Sequence, residues 1–433
     1  MDWTIYIVSA AFFILLIIGV PVGFALTGIA MLGTIFAWGF CGLYQVVSTT
    51  YSDATSFILI AIPLFILMAN FLERSGLADD LYEIIYRWSG GLKGGLAIGT
   101  VVICAIFGAM SGVSSVATVT MGMIALPAMF KRDYNKDMVL GSIMAGGALG
   151  ILIPPSIIMI IYAGIAEVSV GKLFMAGVMP GILLSLLFIG YIGVRCFLNP
   201  QMGPPVSEKY TLKEKLQSLK GIILPILLVL FVLGSIYKGI ATPTEAAGIG
   251  AFGALLCMII YKRFSFENLK SALLSTIKLN AMVMWIIIGA ACFTHYLAFI
   301  GVQDVVQEMV LGLNISNWWI LIFIQALFFF CGMILEPAAI ITLLGPILVP
   351  IVHTLGFDLL WFGVLFVINM TMGYLTPPFG FNLFILKGVA PRSVTMGDLY
   401  RSVIPFCILQ AIGLALVMLF PEIALWLPNH MAN

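Results

Sequence analysis

Charge is what this sequence lacks. Only 9% of its residues are Asp, Glu, Lys or Arg, against 62% hydrophobic, and the mean hydropathy is +1.15. A water-soluble domain carries about 25% charged residues, so this chain has too little polar surface to face water all round. Histidine is scarce as well: His295, His353 and His430 lie far apart in the chain. There is no HExxH helix and no phosphate-binding glycine loop, and the chain is read as a protein other than an enzyme. The seven cysteines form no CxxC pair, which removes the common zinc and redox signatures and leaves them as apolar packing residues. A net charge of +1 gives no ground to expect a nucleic-acid partner.

Long apolar runs are what the chain has in quantity. Stretches of about 17–25 residues recur from end to end, each able to cross about 30 Å of hydrocarbon as a helix. A β-barrel would show alternating strands of roughly ten residues instead. The expected fold is an all-α polytopic membrane protein with membrane lipid around it. Crossings are expected near 4–20, 22–38, 56–72, 138–166, 173–197, 220–237, 243–262, 277–296, 358–386 and 402–426. The first has neither a basic lead-in nor a small-residue cleavage pattern, and is read as a span rather than a removable signal. Two further runs, 96–130 and 317–352, are interrupted midway and are each either two spans or one re-entrant hairpin. Both options return the chain to the side it left. On this count eighteen of the twenty Lys and Arg fall on one side, and only Lys172 and Lys238 on the other. Basic residues in short loops mark the cytoplasmic face, so both termini are expected outside.

The two halves share their punctuation. Gly122 and Gly345, Pro127 and Pro350, Gly150 and Gly373, Pro154 and Pro377, and Pro155 and Pro378 are each separated by 223 residues, and Pro21 and Pro243 by 222. Glycine and proline set backbone breaks, so shared spacing implies shared breaks. Each half holds five crossings and one interrupted run. Five is odd, so the second half is expected upside down, the inverted-repeat construction of many secondary transporters.

Two breaks carry the chemistry. GALGILIPPS (Gly147 to Ser156) and MGYLTPPFGFN (Met372 to Asn382) put glycine and a double proline inside the fourth and ninth crossings. Proline removes an amide donor and glycine lets the chain unwind; carbonyls freed in this way must line protein or a polar cavity. Kinks alone are the plainer alternative. Beside them stand GAMSGVSSVATVTMG (Gly108 to Gly122), centred on Ser111, Gly112, Ser114 and Ser115, and GMILEPAAIITLLGP (Gly332 to Pro346), centred on Glu336-Pro337. Each is read as a hairpin reaching the midplane, the first open to the cytoplasm and the second to the outside. Serine hydroxyls and free amides at such a tip can hold a carboxylate, and backbone oxygens suit Na⁺. Small residues also pack helices, so packing stays open for each serine.

Other polar residues divide in the same way. Glu245 in Thr242-Pro243-Thr244-Glu245 has capping-box spacing. Glu336 fits either a cap on Pro337 or a functional role. His295 reads as structural, and Asn369, Thr371 and Asn382 flank the second break as intramembrane candidates. Asn199 to Lys220 reads as a solvated cytoplasmic linker. Gly39 to Thr55, and Ser75 to Gly95 with Asp79, Asp80, Glu83 and Arg87, read as interfacial segments.

Taken together, IPLFILMANFLERSGL (Ile62 to Leu77), SGVSSVATVTMG, GALGILIPPSI, ATPTEAAG (Ala241 to Gly248) and LTPPFGFNLFILKGVA (Leu375 to Ala390) resemble the large permease subunit of tripartite ATP-independent periplasmic (TRAP) transporters, along essentially the whole chain. The resemblance implies an elevator-type fold and Na⁺ coupling. The scaffold would be 1–92 and 220–312, the moving transport domain 93–198 and 313–433, and the linker 199–219. It implies a small membrane subunit of the DctQ type, a periplasmic binding protein of the DctP type and an organic acid as substrate: a C4-dicarboxylate, sialic acid or another sugar acid. At least two Na⁺ sites are implied. One takes Gly150, Ile153 and Pro155 with Ser111 and Ser115; the other takes Gly332, Gly373, Thr376 and Phe379. The substrate-binding candidates are Ser111, Ser114, Ser115, Pro154, Ser156, Glu336, Asn369 and Asn382. No arginine stands near the midplane to grip a second carboxylate. The rival readings are a free-standing Na⁺/dicarboxylate symporter of related fold and, more remotely, a membrane enzyme or channel.

Overall fold

The computed structural model describes residues 7–431 other than 9, 13, 16, 17, 90, 206, 207, 209, 313 and 314. The expected crossing over 4–20 lies partly outside the described residues, and Lys209 and the Asp79 side chain lie outside them. In chain order the helices are α1 (Val22–Trp38), α2 (Phe40–Ala54), α3 (Ala61–Arg74), α4 (Leu77–Trp88), α5 (Gly95–Ser111), α6 (Ser114–Phe130), α7 (Lys136–Ala148), α8 (Ile157–Ala166), α9 (Val170–Leu198) and α10 (Leu212–Ser218). They continue with α11 (Ile223–Tyr237), α12 (Pro243–Ile260), α13 (Phe266–Phe299), α14 (Val302–Leu311), α15 (Asn317–Gly332), α16 (Pro337–Thr354), α17 (Leu359–Gly373), α18 (Phe381–Val389), α19 (Met396–Leu419) and α20 (Glu422–Asn429). No strand occurs among the described residues.

Among the described residues six helical stretches are long and apolar enough to cross a membrane unaided: Phe57–Arg74, α9, α12, α13, α16 and α19. A seventh appears if Leu212–Gly221 and α11, bent by 57°, are joined. Five of the six match expected crossings and α16 belongs to the second interrupted run. Of the other expected crossings, two are cut, α7 from α8 and α17 from α18, α1 and α11 are shorter than a full span, and 4–20 is described only in part. Both interrupted runs resolve into two helical arms around a short turn, α5 and α6 about Gly112 and α15 and α16 about 333–336.

Two expected boundaries need correcting. The crossing placed at 277–296 begins at Phe266, because Ser265 caps the helix by accepting the Asn268 amide at 3.0 Å and Glu267 lies in its first turn. The crossing placed at 402–426 runs over Met396–Leu419 instead. Thr395 and Asp398 form a capping box at its start, and Pro421 forces Phe420 out of the helical region (φ −124°, ψ 77°), so α20 is a separate helix. The linker does form a short helix, α10, opened by a Thr211–Glu214 capping box. Both expected interfacial segments hold helices, α2 and α4. On α2, Phe40, Tyr44, Val47 and Tyr51 stand exposed along one face. Glu245 caps as its spacing predicts: its carboxylate accepts the Thr242 amide at 2.8 Å. All seven cysteines are free; Cys41 is exposed rather than packed.

The core positions the site. α12 packs on α3, and the 34-residue α13 packs on α1, α2, α3 and α16. On the other side α7 lies against α5, α6 and α19, while α17 lies against α15 and α19. Close approach decides the first group: a Cβ on Gly289 of α13 would sit 2.4 Å from the Gly23 carbonyl oxygen of α1. Backbone cannot yield as a side chain can, so Gly289→Ala should destabilise the purified protein by about 1–3 kcal/mol. Gly190→Ala, where nothing lies within 4 Å, should change stability by about 0.5 kcal/mol or less. Melting curves in detergent test the contrast; equal melting of the two variants would contradict the packing.

Candidate functional site between two hairpin tips

Each broken helix is seated against a hairpin through glycine. In the first, Asn135 caps α7 by accepting the Asp137 and Met138 amides, and the helix then runs into Gly146, Gly147 and Gly150. The α5–α6 tip lies directly on this break. A Cβ on Gly108 would meet the Gly150 Cα at 2.8 Å, and one on Gly112 would meet the Pro155 carbonyl oxygen at 2.4 Å. Gly112 has φ +62°, the left-handed region that glycine alone enters cheaply. In the second, a Cβ on Gly373 would lie 2.8 Å from the Gly332 carbonyl oxygen. Both Pro-Pro bonds, 154–155 and 377–378, are cis.

The freed polar groups are partly answered. Ser156 donates its hydroxyl to the Ile151 carbonyl at 2.6 Å and also caps α8. Thr376 donates to Met372 at 2.8 Å, and the Gly373 carbonyl accepts the Thr376 amide. The carbonyls of Ile153 and Pro155, and of Thr376 and Phe379, accept no hydrogen bond among the described residues. These oxygens are free to meet an ion. Also among the described residues, no three His, Cys, Asp or Glu side chains cluster as a metal site, so a cation here would rely on backbone and hydroxyl oxygens, which suit hard ions.

The predicted residues separate into groups. Gly150 faces the backbone of Val113 and Ser114, and Pro155 faces Gly112. Ser111 is engaged locally with Val113, and Ser115 is half-buried with no hydrogen bond among the described residues. The Ile153 side chain packs towards Gly181 on α9. Gly332, Gly373 and Thr376 lie together, while the Phe379 ring is exposed beside Phe384. Ser114 donates to Asn382 Oδ1 at 2.8 Å, and Asn382 Nδ2 donates to the Met144 carbonyl at 3.0 Å. One buried amide thus ties the first hairpin, α7 and α18. Asn369 lies apart, giving Nδ2 to the Gln325 backbone and side chain at 2.7 and 3.0 Å. Thr371 bonds within its own helix. His295 pairs with Asp53 at 2.8 Å, joining α13 to α2. Gln325 and the fully buried Gln410 escaped the sequence reading; a lone amide inside an apolar helix was the available signal.

Both tips meet at a small cavity of about 60 Å³. Its lining includes Gly112 and Val113 from the first hairpin, Glu336 and Ala338 from the second, Ile151, Ile157 and Ile158 from the first break and Tyr374 from the second, closed by Ile66 of α3 and Leu279, Met282 and Val283 of α13. Of the substrate-binding candidates only Glu336 is in that lining; Ser111, Ser114, Ser115, Pro154, Ser156, Asn369 and Asn382 are not. A larger cavity of about 370 Å³ lies along the same seam. Ile161, Ile287 and Thr342 line it, each about one turn beyond Ile158, Val283 and Ala338 of the smaller one. Asp53, Ser56 and Glu167 stand in its wall.

Comparison with known proteins follows this geometry. The family model described as "Tripartite ATP-independent periplasmic transporter, DctM component" matches residues 9–423. The C4-dicarboxylate TRAP transporter large permease protein DctM of Pseudomonas aeruginosa is 36% identical over 88% of this chain and 88% of its own length. The ectoine TRAP transporter large permease protein TeaC of Halomonas elongata is 30% identical over 95% and 96%. The sialic acid TRAP transporter large permease protein SiaM of Vibrio cholerae is 29% identical over 96% of each. Among solved structures, the YdaH transporter of Alcanivorax borkumensis shares the fold, with a TM-score of 0.65 at 15% identity over 94% of this chain and 97% of that one.

The Ser114–Asn382–Met144 bridge has a direct test. Asn382→Ala removes both bonds of the bridge, leaves the buried Ser114 hydroxyl without its acceptor and should cost about 1–3 kcal/mol. Ser114→Ala removes one neutral hydrogen bond, about 1 kcal/mol, and the double variant should cost less than the sum of the two. Additive losses in melting curves would show that the two residues act separately.

Proposed function

This chain belongs to the DctM-component family of tripartite ATP-independent periplasmic transporters, and from that premise we propose that it is the large permease subunit of a sodium-coupled importer of an organic acid. It is a multi-pass inner-membrane protein whose relatives are named as transporter permeases. The carrying observation is the pair of broken helices, each seated by glycine under a hairpin tip, with the unbonded carbonyls of Ile153 and Pro155 at one break and of Thr376 and Phe379 at the other.

In this reading two Na⁺ ions sit at the breaks. One takes oxygens of Gly150, Ile153 and Pro155 with Ser111 and Ser115; the other takes Gly332, Gly373, Thr376 and Phe379. The anion occupies the cavity between the tips, where uncapped helix amides attract it. Ser114 and Asn382 position the tip, and Ser156 shapes the α8 end. Transport proceeds as an elevator: the hairpins and broken helices (93–198 and 313–433) move against the scaffold (1–92 and 220–312), with 199–219 as linker. The 223-residue offset supports an inverted repeat, and the segregation of basic residues supports outer termini. The larger cavity, on the side of Lys172, is then the outer approach to the site. The family implies a small membrane subunit and a periplasmic binding protein as partners; we assign them to the DctQ and DctP types.

Proteoliposomes holding this chain, its small subunit and binding protein should take up labelled organic acid only with an inward Na⁺ gradient and with the binding protein present. Uptake by this chain alone would identify a free-standing symporter and overturn the tripartite reading. Thr376→Ala should raise the Na⁺ concentration for half-maximal uptake severalfold in a protein that still folds; an unchanged Na⁺ dependence would remove Thr376 from the second site. Gly150→Val should abolish uptake, since its branches enter the Val113–Ser114 backbone about 3.3 Å from the added Cβ.

A further inference from the structure

The cavity between the hairpin tips is electrically lopsided, and this bears on what it accepts. At one end α6 begins, flanked by Gly112 and Val113, which line the cavity. The first amides of a helix have no intrahelical acceptor, and no side chain caps this one: Val113 occupies the cap position. The neighbouring α8 differs, because Ser156 accepts its Met159 amide. The uncapped α6 terminus therefore presents the positive end of a helix dipole to the cavity.

At the other end stands Glu336. It holds the cap position of α16 but makes no side-chain cap bond, so the α16 terminus beside it is uncapped as well. Glu336 is half-buried and lines the cavity. Among the described residues no hydrogen bond or ion pair reaches its carboxylate, and no Lys or Arg lines the cavity. An unpaired carboxylate in such a place is costly, so Glu336 keeps its charge only when a donor reaches it from elsewhere and otherwise takes up a proton. The space is small: about 60 Å³, where one water needs about 10–15 Å³.

We propose that this cavity takes a small monocarboxylate that also carries a hydrogen-bond donor, an ammonium or a hydroxyl, with the carboxylate at the α6 terminus and the donor on Glu336. The proposal rests on the reading of this cavity as the substrate site. A dicarboxylate would set its second charge against Glu336, with no basic side chain to offset the repulsion. Discrimination here comes from the clash with the wrong ligand as much as from contacts with the right one.

The test measures direct binding of three probes to the purified complex of this chain and its small subunit in Na⁺. The probes are alanine (ammonium), lactate (hydroxyl) and succinate (second carboxylate). Wild type should bind alanine or lactate about tenfold or more tighter than succinate, and which of the two leads identifies the donor. Glu336→Gln should erase that preference by gaining succinate, whereas Glu336→Asp, which keeps the charge, should retain it. Four results would overturn the proposal: wild type that binds succinate as well as the others, binding of none of the three, an equal loss for all probes in Glu336→Gln, or an effect confined to Na⁺ dependence. Size-exclusion profiles show whether each variant is folded. Should uptake in proteoliposomes prove independent of Na⁺ or of the binding protein, the transporter reading fails, while the probe ranking still reports on Glu336.

Discussion

Backbone carbonyls released by proline inside a membrane have nowhere to go but protein, water or an ion, and the organisation of this chain turns on that constraint. Two helices are broken by Pro-Pro, and at each break a glycine-rich surface lets a second backbone approach to contact distance: Gly150 with the α5–α6 tip, Gly373 with Gly332. No side chain larger than hydrogen fits between them. Some of the exposed oxygens are answered by Ser156 and by the Thr376 amide; those of Ile153, Pro155, Thr376 and Phe379 have no donor among the described residues, and the Pro155 oxygen faces Gly112 of the first hairpin. In the proposed function, that deficit of donors is what recruits Na⁺, and Na⁺ in turn holds the hairpin on the break.

Around this centre the packing falls into two groups. α1, α2, α3, α12 and α13 are joined largely to one another, and the hairpin arms are joined to α7, α8 and α17, with α19 packed on α7 and α17. The cavities lie on the seam between the groups, walled on one side by α13 and on the other by α8 and α16. A relative movement of the two groups would open and close that seam, which is the physical content of the elevator proposal. The Ser114–Asn382–Met144 bridge ties elements within one group and does not cross the seam. In the elevator proposal such a bond would keep the tip in place as the group moved as a body.

Local signals made much of this legible in the sequence. Proline and glycine marked both breaks because they act on their own backbone, so the expected sites at Gly147 to Ser156 and Met372 to Asn382 coincide with the observed ones. The serine-rich centre of the first hairpin likewise coincides with the turn at Gly112. Contacts between distant segments left no local trace: nothing near Ser114 announces a partner 268 residues away. Helix ends set by hydrogen bonding, not by hydropathy, also escaped, as the early start of α13 at Ser265 and the stop of α19 before Pro421 show. Gln325 and Gln410 were passed over because each sits alone in an apolar run. Glu336 read equally well as a cap or a functional group until the structure showed no cap bond.

The account's central claim is that unbonded oxygens at the two breaks hold sodium, and direct ion binding tests it without needing the substrate. Equilibrium binding of ²²Na⁺ to the purified membrane complex should be saturable, undisplaced by K⁺, and lowered by Thr376→Ala and by Gly150→Val in proteins that remain folded. Binding that K⁺ displaces equally, or that both variants leave at the wild-type level, would contradict the account.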